Sequence, residues 1–254
     1  MSRLRRTLGI AKTLLVYYGK PLRLRGETRL YGRVLGLGSA ALAFDIGAHV
    51  GNRVRALRRL GARVIAVEPQ AAPLAVLRRL YGADPGVTIV AAACGAREGE
   101  RVLHVSEGSP TLSTLSESWI ARASGADNFR GISWNAEQRV PVTTLDALVS
   151  EHGLPDFVKI DVEGFEAQVL AGLSTALPLL SFEFLPASID VALHCVERLE
   201  KLGSYEYNYS PGETMRFARA RWLAPAEMSS ILAAMPRLGP SGDVYARRRS
   251  RRVR

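Results

Sequence analysis

Two groups of residues in this chain have types and spacings that could do chemistry. The first is Asp45-Ile-Gly-Ala-His-Val-Gly51, where an acid at the end of an apolar run is followed by glycines at 47 and 51. Gly47 can take backbone angles closed to other residues and lets a ligand approach the main chain. A helix starting just after such a turn adds unpaired N–H groups and the positive end of its dipole. Glu68 lies 21 residues beyond Gly47, at the end of the next apolar run and just before Pro69. In dinucleotide-binding folds an acid about 20 residues past the glycine turn accepts hydrogen bonds from ribose hydroxyls. The pair therefore points to a cofactor that carries a ribose.

The second group is Lys159, Asp161 and Glu183, charges inside or at the ends of runs that read as buried strands. An unpaired buried ammonium is costly, so Lys159 must find a carboxylate or sit at the open end of its strand. Such charges need a reason, and function is the expected one. Glu163 and Glu166 stand where acids complement the start of a helix, so for them a purely structural role is expected. A divalent metal would account for several carboxylates, but no spacing here is diagnostic of one. The four histidines, at 49, 104, 152 and 194, are scattered, so no metal is expected.

The elements that must position these groups follow from periodicity. Apolar runs at 42–46, 63–68 and 87–91 alternate with helical patterns at 52–60 and 73–81, which is the βαβαβ unit of a doubly wound parallel α/β sheet. After a strand over 101–105, residues 107–138 are rich in Ser, Gly and Asn and read as an irregular insertion. Its tryptophans, Trp119 and Trp134, suit either stacking on a sugar or base or pinning the loop to the core. The rhythm resumes with a helix at 144–149, a strand at 155–161, a helix over 162–173 and a strand at 179–184. A helix through Ile189, Leu193, Val196 and Leu199 and late strands at 205–209 and 243–247, flanking a helix at 225–234, complete the chain. In such sheets ligands bind outside the carboxyl ends of the strands, which would bring both groups to one cleft.

The net charge of +10 invites a nucleic-acid partner until it is located. Six arginines lie in 247–254, and residues 1–33 hold nine Lys and Arg against Glu27 alone, so residues 34–246 carry a net −4. The chain thus divides into a basic helical extension (1–33), one domain (34–246) with a substrate-loop insertion at about 107–139, and an Arg-rich tail (247–254) expected to be disordered. In the extension Leu4, Leu8, Ala11, Leu14 and Leu15 fall on one helical face among arginines, the pattern of an interfacial membrane helix or of a helix that caps the domain. Two cysteines in no C-x-x-C pair, no cleavage-site pattern after the basic start, and no run of about 18 apolar residues lead to a cytoplasmic expectation, with peripheral membrane contact through the basic termini.

Taken in order, Phe44–Gly51, Val67-Glu-Pro69, Thr144-Leu-Asp146, Val158-Lys-Ile-Asp-Val-Glu-Gly-Phe-Glu166 and Ser241–Ala246 resemble the FkbM-type methyltransferases. The resemblance covers roughly residues 40–246, and the Lys-Ile-Asp-Val-Glu-Gly segment is its most specific part. It implies a Rossmann-like class I methyltransferase sheet, mostly parallel with a C-terminal antiparallel strand, and S-adenosyl-L-methionine as cofactor. It also implies O-methylation of a sugar, glycan, glycolipid or natural product. Carried over by position, Asp45, Gly47, Ala48, His49 and Gly51 would hold the methionine part, Glu68 and Pro69 the ribose, and Cys94 the adenine side. Asp161, Glu163 and Lys159 would face the methyl-transfer site. The general base is Asp161, Glu183 or a neutral Lys159. His49 departs from the family, which often has Asn there. Two other classes compete. A nicotinamide-dependent oxidoreductase shares Gly47 and Glu68 but normally shows G-x-G-x-x-G, whereas this turn reads Gly47-x-x-x-Gly51. A non-enzymatic nucleic-acid-binding module would use the basic termini, against which stands the acidic balance of residues 34–246.

Overall fold

Short apolar runs separated by helices build the sheet. In the computed structural model, which describes residues 2–19, 21–124 and 129–249, seven strands are involved: β1 (Leu42–Ile46), β2 (Arg63–Val67), β3 (Val87–Val90), β7 (Phe157–Ile160), β8 (Leu179–Phe184), β9 (Tyr205–Pro211) and β10 (Gly242–Arg248). Their order is β3-β2-β1-β7-β8-β10-β9. All pairs are parallel except those of β10, which runs antiparallel to both β8 and β9. The expected parallel sheet with an antiparallel strand near its C-terminus is present.

Side chains alternate across each strand, and the two faces are covered differently. Phe44, Ile46, Val158, Ile160, Phe182 and Val244 pack on α6 (Leu145–His152), α7 (Glu166–Ala171), α8 (Ile189–Leu202) and α9 (Pro225–Ala233). Ala43, Ala66, Phe157, Leu179 and Tyr245 face α2 (Pro21–Arg29), a π-helical turn at Leu30–Val34, α3 (Asn52–Arg59) and α4 (Ala71–Tyr81). The basic extension is therefore part of the second core, through the buried Leu24, Leu30 and Tyr31. It begins with α1 (Ser2–Tyr18). The last strand runs to Arg248, two residues into the stretch read as a tail; residues 250–254 lie outside the described ones. No helix among the described residues is long and apolar enough to cross a membrane.

The insertion is more ordered than its composition implies. It holds a 3-10 turn (Pro110–Leu112), α5 (Glu117–Ser124) and β6 (Ala136–Thr143), which joins β4 (Ala93–Cys94) and β5 (Gly99–Val105) in a second sheet of order β4-β6-β5. Pro141 disguised β6, since proline in a run demotes it as a strand. It is tolerated because β4 pairs only with Val142 and Thr143 and leaves the rest of that edge open. The tryptophans resolve to the loop-pinning role. Trp119 is 1% exposed and meets Trp134 edge-on at 5.3 Å, and the Trp134 Nε1–H donates to the Leu112 carbonyl at 2.7 Å.

Candidate active site

A cleft of about 1110 Å³, partly open to solvent, lies at the carboxyl ends of β1, β2, β7 and β8. Its first wall is the turn after β1. Gly47 has φ 83°, and a Cβ there would sit 1.9 Å from the Asp161 carbonyl oxygen, so glycine is demanded by the closeness of the β7 end as well as by the turn. The Gly47 and Ala48 N–H groups both donate to the Val67 carbonyl, and Gly51, also at φ 83°, precedes α3. At the tip of β2 Glu68 is held rigidly, accepting from the His49 N–H at 2.8 Å and the Gln70 N–H at 2.7 Å. Burial pushes its carboxyl up to about 7 in spite of those two donors. Beyond it Val67, Pro69, Ala93, Cys94, Leu103, Leu115 and Phe165 make an apolar slot. His49 faces the cleft at φ 49° with neither ring nitrogen partnered, and burial lowers it to about 4.

The charges in the strands all fall on one side of the sheet. Asp45, Lys159, Ser181, Glu183 and Asp243 alternate with core residues of the other face and so look toward α2 and α3. Lys159, 1% exposed, reaches across the small Ser181 to ion-pair with Asp243, while Asp161 lies 3.8 Å away. Arg53, in the first turn of α3, binds Asp161 at 2.6 Å. Burial opposes the charge on Asp161, but Arg53 and Lys159 outweigh it and hold the carboxyl at about 2. Asp45 is fully buried with neither oxygen partnered, and burial raises it to about 6 although Arg53 pulls it down. Asp45 and Lys159 thus lie beneath the cleft and do not line it, nor do Ala48 and Gly51, whereas Gly47, His49, Glu68, Pro69, Cys94, Asp161 and Glu183 do.

Glu163 is not at a helix start, as its spacing suggested. α7 begins only at Glu166, and Glu163 sits in the preceding loop at φ 55° with Gly164 at φ 84°. Gly164 lies against the Trp119 ring, and the Glu163 carbonyl accepts from the Thr114 hydroxyl at 2.8 Å, so the insertion fixes this loop. Glu166 does have the structural role expected of it, its carboxylate accepting from the N–H groups of Val162 and Gly164. Glu163 is thereby turned into the cleft, where its carboxyl oxygen lies within 4.8 Å of those of Asp161 and Glu183. Burial, then the charge of Asp161, push Glu163 and Glu183 well above the usual carboxylate range. Glu183 is within hydrogen-bond reach of Asp161, and one Glu183 oxygen has no partner. Three oxygens so close could hold a cation, but Arg53 and Lys159 already balance Asp161.

Several lining residues escaped the sequence reading. Arg53 carried a signal, because a cation in the first turn of a helix opposes the dipole and needs a carboxylate. Asp243 carried the same signal as Lys159, a charge inside a strand. Tyr17 and Arg23 carried none, since they come from helices distant in sequence. Arg23 stacks on the Tyr17 ring at 4.3 Å and ion-pairs with Glu213, and Tyr17 meets the His49 ring at 6.4 Å, forming a further wall of the cleft.

Comparison with known proteins bears on this cleft. Residues 45–197 match the methyltransferase FkbM domain. No curated protein sequence matches the chain. Among solved structures, a TehB-like SAM-dependent methyltransferase from Corynebacterium glutamicum is 12% identical, with a TM-score of 0.50 over 98% of this chain and 100% of that one. An rRNA methylase from Streptococcus thermophilus is 10% identical, with a TM-score of 0.45 over 91% of this chain and 98% of that one. A precorrin-6y C5,15-methyltransferase from Geobacter metallireducens is 14% identical, with a TM-score of 0.44 over 89% and 87%.

Proposed function

The chain belongs to the FkbM methyltransferase family, and from that premise we propose that it O-methylates a hydroxyl on a sugar, glycan, glycolipid or natural product, with Glu183 as the general base. Family and fold imply S-adenosyl-L-methionine as the methyl donor. The cleft's own chemistry fits that group. Glu68 keeps lone pairs free for a ribose diol, the apolar slot from Val67 to Phe165 suits a flat base, and Asp161, Glu163 and Glu183 bring three carboxyl groups together where a cation would sit. When bound, it supplies a methyl on a sulfonium, a good leaving group that asks the protein mainly for alignment and one proton acceptor.

The observation that carries the reading is Glu183 at the cleft wall, within hydrogen-bond reach of Asp161 and with one oxygen unpartnered. Of the three candidate bases, Lys159 is engaged by Asp243 beneath the floor, and Asp161, clamped by Arg53, has too little affinity for a proton. Glu183 has that affinity and an unpartnered oxygen. In its ionised form it takes the hydroxyl proton as the acceptor oxygen bonds to the methyl carbon. Once protonated, Glu183 donates to the Asp161 carboxylate, which lies within hydrogen-bond reach of it. Arg53 and Lys159 keep Asp161 charged throughout.

The test begins with labelled-methyl transfer from S-adenosylmethionine into glycan and lipid-linked sugar extracts, with the product shown to be an ether by its stability to base. With that acceptor, Glu183→Gln should lower kcat by about 10²- to 10⁴-fold, while calorimetric binding of S-adenosylhomocysteine stays unchanged. Turnover within about 3-fold of wild type would remove Glu183 from the reaction, and labelling confined to nitrogen or carbon would remove the hydroxyl acceptor.

A further inference from the structure

α1 is attached to the domain by the wrong side for a capping helix. Among the described side chains of α1 the buried positions are Gly9 and Thr13. A Cβ on Gly9 would lie 2.6 Å from the Glu107 carbonyl, so the helix backbone rests directly on the insertion there, and the Thr13 hydroxyl is turned inward onto the Gly9 carbonyl at 3.0 Å. At its end the Tyr18 hydroxyl donates to the Val50 carbonyl at 2.8 Å. Of the expected apolar stripe, Leu8, Ala11 and Leu15 face outward instead, Leu14 is half-buried, and the Leu4 side chain lies outside the described ones. Leu8 is 59% and Leu15 73% exposed, with exposed Ala11 between them, at the i, i+3, i+7 spacing of one helical side, and Leu22 at the start of α2 is 76% exposed.

One exposed leucine would mean little; three on consecutive helices, set among cations, are a pattern. Lys12 is exposed beside the stripe, and Leu22 shares its side of α2 with the exposed Arg25 and Arg29. None of these three cations has an ion-pair partner among the described residues. The only acid of residues 1–33, Glu27, is 2% exposed and turned toward Arg23 and Asn52.

We propose that this outward face of α1 and early α2 docks on an anionic lipid bilayer, with Leu8, Leu15 and Leu22 entering the headgroup boundary and Lys12, Arg25 and Arg29 meeting lipid phosphates. Apolar anchors with basic flanks are the composition that binds such surfaces, and the charges add attraction that salt screens. Tyr17 and Arg23 of the same two helices line the cleft, so the docked protein holds that wall of its active site against the membrane.

The test is co-sedimentation of the full chain with vesicles of phosphatidylglycerol and phosphatidylcholine in equal parts, and with phosphatidylcholine alone. Binding to the first only, weakened by salt, is expected. The L8S/L15S/L22S variant should partition at least about 10-fold less with an unchanged melting midpoint, and K12E/R25E/R29E should also lose binding. R251S/R252S/R254S should retain it. The proposal fails if wild type does not sediment, or if the leucine variant binds as wild type does, which would leave general charge as the cause. It also fails if the leucine variant only converts a dimer to a monomer by light scattering, which would make the stripe a contact between copies.

Discussion

The pair of Lys159, beneath the cleft, with Asp243, in its lining, makes a quantitative prediction. Lys159→Met removes an ammonium that is 1% exposed and leaves the Asp243 carboxylate, itself 8% exposed, without its cation. Asp161 is spared, because Arg53 still holds it at 2.6 Å, so the loss falls on Asp243. Breaking one partner of a buried pair costs about 3–5 kcal/mol, which in a chain of this size lowers the melting midpoint by about 6–20 °C. Replacing both partners with apolar residues of similar shape leaves no stranded charge, so Lys159→Met combined with Asp243→Leu should return to within about 2 kcal/mol of wild type. A double-mutant cycle by urea unfolding, with slopes compared to confirm that each variant unfolds in the same way, should show a coupling of about 2–4 kcal/mol. S-adenosylhomocysteine should still bind Lys159→Met when it is folded, since Lys159 does not line the cleft. Additive effects of the two substitutions, or a loss below about 1 kcal/mol for Lys159→Met alone, would refute the assignment of Lys159 as a counter-ion.

Other outcomes follow from the same geometry. Burial holds Glu68 near 7, and ribose hydroxyls need it ionised, so S-adenosylhomocysteine affinity measured by calorimetry should rise with pH through 7 and fall by up to about 10-fold per unit below it; Glu68→Gln should flatten the curve. Gly47→Ala places a Cβ 1.9 Å from a backbone oxygen at φ 83°, and should destabilise by about 3 kcal/mol or more in thermal unfolding. Trp119→Ala should cost about 3–5 kcal/mol in denaturant unfolding, as expected of a buried pin; a loss of turnover with full stability would return it to the acceptor.

What the sequence revealed was local. Gly47 and Glu68 were legible as cleft neighbours because a strand, a turn and the next strand place them within a short span of chain, whereas Asp45, expected to hold the cofactor, lies beneath the cleft; apolar runs with helical spacing between them specify parallel strands. Lys159 announced that it needed a carboxylate, but not which one. Asp243 comes from a strand two places away, brought near only when β10 enters antiparallel beside β8. Glu163 was misread because the last turn before α7 depends on Gly164 fitting under Trp119, a contact that no window of sequence contains. The outward leucine stripe of α1 was visible as a stripe, but which side would be buried depended on Gly9 meeting the backbone of the insertion.

The contact between Gly47 and the Asp161 carbonyl has one more effect. It welds the turn that would cradle the donor to the loop that carries the carboxylates, so these two walls cannot part without breaking the sheet between them. Another wall, made of Tyr17, Arg23 and the ion pair to Glu213, is held through side chains. The helices that carry Tyr17 and Arg23 to this wall are the same ones whose Leu8, Leu15 and Leu22 point outward.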